Sequence, residues 1–125
     1  MTVLIDSWAW IEYWKGGPHA KAAAAYIEGN EEAVVSTINV AEVYYWVLKS
    51  YDAENAMKRV STIEKRCQII PVEKQTAIEA AKAKKKYGLA LADSLIYATA
   101  GELRAKLVTG DSDLKHLEGT VFLRE

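Results

Sequence analysis

The chain of 125 residues has one cysteine, Cys67, and only two histidines, His19 and His116. No disulfide can close within it, and no cysteine-based zinc site can be built. The histidines lie far apart, so nitrogen ligands are scarce too, and neither has a spaced partner that would support a metal or triad role. A single thiol fits a reducing compartment, and the expected location is the cytoplasm. Prolines number two, Pro18 and Pro71, and no glycine-, serine- or proline-rich linker appears. No run approaches the ~20 apolar residues of a membrane helix. The start lacks a basic segment, and its first apolar run is cut by Asp6, so no signal peptide is expected. An excess of either charge is lacking as well: 16 basic against 17 acidic residues give −1. Bulk electrostatics therefore announce no nucleic-acid partner, although a local basic patch would suffice for one.

Half of the residues are hydrophobic, enough for one self-sufficient core, and the expectation is a single domain over residues 1–125. Short β-branched runs alternate with helical stretches. Strands are expected at Val3–Ile5, Ala33–Ser36, Gln68–Val72, Lys106–Thr109 and Thr120–Leu123. Helices are expected at Ser7–Trp14, His19–Glu28, Asn39–Lys49, Asp52–Lys65, Glu73–Tyr87 and Leu91–Glu102, with a short one at Ser112–His116. This rhythm means βα units: an α/β fold with a mostly parallel sheet and helices on both faces. Ligands of such folds bind outside the carboxyl ends of the strands.

Two of those ends carry aspartate. VLID closes the first strand at Asp6, and LVTGDSD follows the fourth with Asp111 and Asp113. The plain reading of Asp6 and Asp111 is helix capping, with Asp113 favoured by the dipole of the next turn. Glu42 fits a capping box with Asn39 as N-cap, or else points over the end of the second strand. Asp93 is harder to set aside. It lies in LALADSLIYATA, where an unpaired buried carboxylate costs several kcal/mol. Its plain reading is an N-terminal cap shared with Ser94. Together, these acids come from four segments and fall at strand ends or helix starts. Clustered carboxylates repel unless a cation neutralises them, and hard divalent ions prefer oxygen ligands.

VLIDSWAWI, STINVAE, LALADSLIYATA and LVTGDSDLKHL, in that order, resemble the PIN-domain family, and within it the small VapC-type toxins of toxin–antitoxin pairs. The resemblance spans essentially the whole chain. It implies a three-layer fold with a five-stranded sheet flanked by helices, a Mg²⁺ or Mn²⁺ site, and endoribonuclease activity. Asp6, Glu42, Asp93 and Asp111 match the family's acidic quartet, and Asp113 a further acidic position. Ser7 and Thr109 match its supporting hydroxyls. Leu114 stands where many relatives have Phe, implying only altered packing. The implied partners are RNA, a VapB-type antitoxin and a second copy of the chain.

Other features have competing readings. Lys82–Lys86 is either an RNA-binding run or the solvated, dipole-stabilising end of a helix, and Arg59, Lys65 and Arg66 pose the same choice. Trp8, Trp10, Tyr13, Trp14, Tyr44, Tyr45 and Trp46 crowd two helices, enough for both core and an exposed partner surface. Two other function classes are open: a non-catalytic module on the same fold, and a phospho-acceptor domain. The latter needs an acceptor Asp after the mid-chain strand, where Ile69-Ile70-Pro71-Val72 is followed by Glu73.

Overall fold

The computed structural model describes residues 1–124. Five strands, β1 (Thr2–Ile5), β2 (Glu32–Ser36), β3 (Gln68–Ile70), β4 (Lys106–Thr109) and β5 (Thr120–Phe122), form one sheet in the order β3-β2-β1-β4-β5. Every pairing is parallel, so the expectation of a mostly parallel sheet becomes a wholly parallel one among the described residues. Among the described residues six α-helices connect the strands: α1 (Ser7–Lys15), α2 (Ala20–Ile27), α3 (Thr37–Ser50), α4 (Ala53–Arg66), α5 (Lys74–Tyr87) and α6 (Leu91–Glu102). A single 3₁₀ turn, Ser112–Leu114, precedes β5. None of the helices is long and apolar enough to cross a membrane.

Side chains alternate across a strand, and the two resulting faces build two cores. Val3, Ile5, Val35 and Val108 face Ala9 and Trp10 of α1, Ala23 and Ile27 of α2, Val43 of α3 and Ile63 of α4. Leu4, Val34 and Leu107 face Ile96 and Ala100 of α6, with Leu89 and Leu114 closing the layer. Burial on both faces explains why the central strands read as unbroken apolar runs. Several boundaries shift. β3 ends at Ile70 and β5 at Phe122, and the turn after Asp111 is one 3₁₀ turn rather than a helix reaching His116.

The start of α3 differs in kind. The helix begins at Thr37 and its N-cap is Ser36, whose hydroxyl accepts from the Ile38 N–H at 3.0 Å. The Asn39 side-chain oxygen accepts from the Ser36 N–H at 2.9 Å. The capping box is therefore Ser36 with Asn39, not Asn39 with Glu42, because the N-cap lies three residues earlier than the apolar periodicity suggests, on the last residue of β2. Glu42 is released from capping.

Strand order reverses between β1 and β4. The chain steps outward through β2 and β3 on one side, then returns to fill β4 and β5 on the other. The carboxyl ends of β1 and β4 flank this switch point, where a parallel sheet leaves a crevice.

Candidate metal centre

Asp6 ends β1 at the crevice. It occupies the N-cap position of α1 but makes no side-chain capping bond; the capping reading is corrected, because its carboxylate is engaged elsewhere. The Thr109 hydroxyl donates to Oδ2 at 2.7 Å, and the Asn39 amide donates to Oδ1 at 3.1 Å. Thr109 also accepts from the Asp111 N–H at 3.0 Å, so one hydroxyl ties the ends of β1 and β4 together. Ser7, the next residue, accepts from the same Asn39 amide at 2.9 Å and donates to Glu42 Oε1 at 2.6 Å. Both amide protons and the oxygen of buried Asn39 are thereby used.

Sequence reasoning missed this hub by assigning Asn39 to capping. One signal was available: Asn39 and Glu42 are three residues apart on a helix, so they share a face. That face looks onto the end of β1.

Asp93 enters from the first turn of α6. The apolar segment around it suggested deep burial, yet Asp93 is half-buried and Leu91 is 57% exposed, because the helix opens at the crevice. The cap shared with Ser94 does not form: the Ser94 hydroxyl donates back to the Ala90 carbonyl at 2.9 Å. Asp111 does cap, accepting from the Asp113 N–H at 2.9 Å. One oxygen from each of Asp93, Asp111 and Asp113 falls within a common 4.8 Å.

Electrostatics link all five acids. Burial, chiefly, pushes the Asp6 carboxyl from its ordinary 3.8 up to about 6; the Thr109 bond opposes this, and the Glu42 and Asp111 charges add to it. Asp93 also rises to about 6, through burial and then the charges of Asp111, Asp6 and Asp113. Glu42 is raised by burial and by Asp93 and Asp111, with the Ser7 bond opposing. The charges acting on these three groups are thus other carboxylates. The salt bridges Lys58–Glu54, Arg66–Glu31 and Lys82–Glu79 all lie outside the cluster. An all-oxygen donor set whose members raise one another's pKa fits a hard divalent cation.

The remaining candidates lie outside this site. Lys84 donates to the Leu89 carbonyl at 2.9 Å, Lys82 pairs with Glu79, and Lys86 stands over the Tyr87 ring, as a helix terminus would arrange them. Arg66 is a clamp rather than a surface charge: its guanidinium donates to the carbonyls of Tyr26, Ile27 and Glu31. Arg59 stacks on Trp14. Of the seven crowded aromatics only Trp10 is fully buried, while Tyr45 is 64% exposed. A cleft of about 450 Å³ between α5, α6 and the starts of β4 and β5 includes none of the five acids.

The PIN domain family profile matches residues 3–119. Among solved structures, a toxin–antitoxin complex from Klebsiella pneumoniae is similar with a TM-score of 0.81 at 26% identity, over 98% of both chains. VapC20 of Mycobacterium tuberculosis, a sarcin-ricin loop cleaving toxin, gives 0.80 at 12% identity over 98% of this chain and 99% of that one. VapBC-1 from nontypeable Haemophilus influenzae gives 0.76 at 20% identity over 100% of both. The likeness to the last two is one of fold. The comparison with curated proteins finds no match. A profile running from β1 to the threshold of β5, a parallel sheet reversing beside β1, and acids gathered at that reversal lead to one assignment: this chain belongs to the PIN-domain family.

Proposed function

We propose that the chain is a Mg²⁺- or Mn²⁺-dependent endoribonuclease, the VapC-type toxin of a toxin–antitoxin pair. In this reading it acts as a single PIN unit in the cytoplasm, as a homodimer restrained by a VapB-type antitoxin. The observation that carries it is the gathering of Asp6, Glu42, Asp93, Asp111 and Asp113 at the switch point, where burial and neighbouring carboxylates raise the pKa of Asp6, Glu42 and Asp93. The toxin complexes among the structural relatives support the toxin and antitoxin roles.

Asp6, Glu42, Asp93 and Asp111 would hold the ion, with Asp113 on the outer side. A bound divalent ion would supply charge neutralisation at the scissile phosphate and make water in the site more acidic. The chain's own residues do the rest. Thr109 and Asn39 fix the rotamer of Asp6 from both sides. Ser7 holds Glu42 by Oε1, which leaves Oε2 to accept a proton as water attacks phosphorus. The phosphorus–oxygen bond to the leaving nucleotide then breaks, and that oxygen takes a proton from solvent. The raised pKa of Glu42 suits a base, because a weaker conjugate acid means a carboxylate that takes up a proton more readily near neutrality.

Cleavage of a labelled RNA pool by the antitoxin-free chain tests this. Activity with Mg²⁺ or Mn²⁺, lost with EDTA and in Asp93→Asn, is expected. Cleavage surviving Asp93→Asn would refute the site; a folded wild-type chain that never cleaves would point to a non-catalytic PIN module.

A further inference from the structure

A carboxylate cluster repels the polyanion it is meant to cleave, so RNA affinity must come from cations on its flanks. One flank is built for this. Arg124, just beyond β5, turns back over the sheet end, and its Nε donates to the Gly110 carbonyl at 2.8 Å. Gly110 is the link between Thr109 and Asp111. The guanidinium lies 5.4 Å from the Phe122 ring centroid and 5.9 Å from that of Trp8. Phe122 is paired in register with Thr109, and Trp8 directly follows Ser7. Lys115 stands 5.2 Å from the same Phe122 ring, two residues beyond Asp113. A Cβ on Gly110 would come to 2.3 Å from the Trp8 ring, so any larger residue there would push that ring from its place.

A guanidinium seated against two rings and a carbonyl has little rotamer freedom left to lose on binding. Its Nε is committed to the Gly110 carbonyl, and among the described residues the guanidinium pairs with no carboxylate and its terminal nitrogens have no hydrogen-bond acceptor. That planar fork matches phosphate oxygens two at a time.

We propose that Arg124, held against the Trp8 and Phe122 rings, grips a backbone phosphate of the RNA strand beside the scissile one. This rests on the nuclease reading above. Phosphate contacts carry no sequence information, so a labelled random-sequence single-stranded RNA is a sufficient probe. Binding is measured in the cleavage-silent Asp93→Asn chain, with and without Arg124→Gln. Glutamine keeps an N–H for Gly110 and removes the charge. The dissociation constant is expected to rise about tenfold, the scale of a charge-assisted hydrogen bond. The slope of log affinity against log salt should shrink by about 0.7, one single-strand phosphate. Arg124→Lys should restore the slope and only part of the affinity. In the chain retaining Asp93, Arg124→Gln should raise KM and leave kcat in place.

An unchanged salt slope overturns the phosphate contact. So does a loss confined to kcat with a lowered Tm, which would make Arg124 a mere brace for Gly110. If the chain with Asp93 neither binds nor cleaves RNA, the nuclease reading fails and this proposal with it; normal cleavage with an indifferent Arg124 sinks this proposal alone.

Discussion

Replacing Asp6 with asparagine is expected to stabilise the metal-free protein at neutral pH, against the usual direction for a change at a buried polar site. Asp6 is buried at 5% exposure, and its carboxyl is raised from 3.8 to about 6. Two pKa units correspond to about 3 kcal/mol of unfavourable ionisation in the folded state. Asparagine keeps the shape but fits the Thr109 and Asn39 donors less well, at a cost of about 1 kcal/mol. The net gain at pH 7.5 is then about 2 kcal/mol, or roughly 5–10 °C in Tm for a chain of this size. The sign follows from proton linkage. Between pH 3.8 and 6 the folded state binds the proton more tightly than the unfolded state, so the stabilising contribution is full below 3.8 and is lost as pH rises through 6. Asp93 shifts in the same direction, and its partial exposure makes its share smaller. Thermal and urea melts in EDTA at pH 5 and 7.5 measure this. The wild-type chain should be more stable at pH 5, and Asp6→Asn should flatten the difference. Added Mg²⁺ should recover stability at pH 7.5 in the wild type, by binding only the folded state, and less so in Asp6→Asn. A wild-type chain in EDTA that is no weaker at pH 7.5 than at pH 5, or an Asp6→Asn chain weaker at pH 7.5, would refute the reasoning.

Asn39→Ala strands Asp6 Oδ1, Ser7 Oγ and the Ser36 N–H, and should cost about 1–3 kcal/mol in urea melts while lowering the metal-dependent cleavage rate; an unaffected rate would mean Asp6 and Glu42 hold their positions without it. Arg66→Ala should cost about 1–3 kcal/mol by releasing three carbonyls near the end of α2. Arg66→Lys should recover little of that, since one ammonium cannot span the same carbonyls, and RNA affinity should hold in both.

The strand and helix order was legible because burial on both faces makes the strands continuous apolar runs, and because Gly16 and Gly88 adopt the left-handed conformation that ends α1 and α5. The acidic positions were legible because aspartate closing an apolar run stands out against its neighbours. The start of α3 was not. Ser36 is a strand residue and a helix cap at once, so the periodicity that marks α3 does not reveal its first residue. Asn39 was lost with it, and Arg66 passed for a surface charge because its carbonyl partners lie 35–40 residues away in sequence.

By itself, then, the sequence determined the alternation of elements and the acids placed at strand ends, both of which are local patterns of polarity and spacing. Only the tertiary structure decided that β4 returns beside β1. That reversal places Thr109 against Asp6 across 103 positions and seats Arg124 against the Trp8 and Phe122 rings, while the pairing of β2 on the other edge of β1 joins Asn39 to Ser7. Hydrogen bonds and ring contacts of that range depend on which strands become neighbours, and strand order is set by the packing of helices on both faces of the sheet.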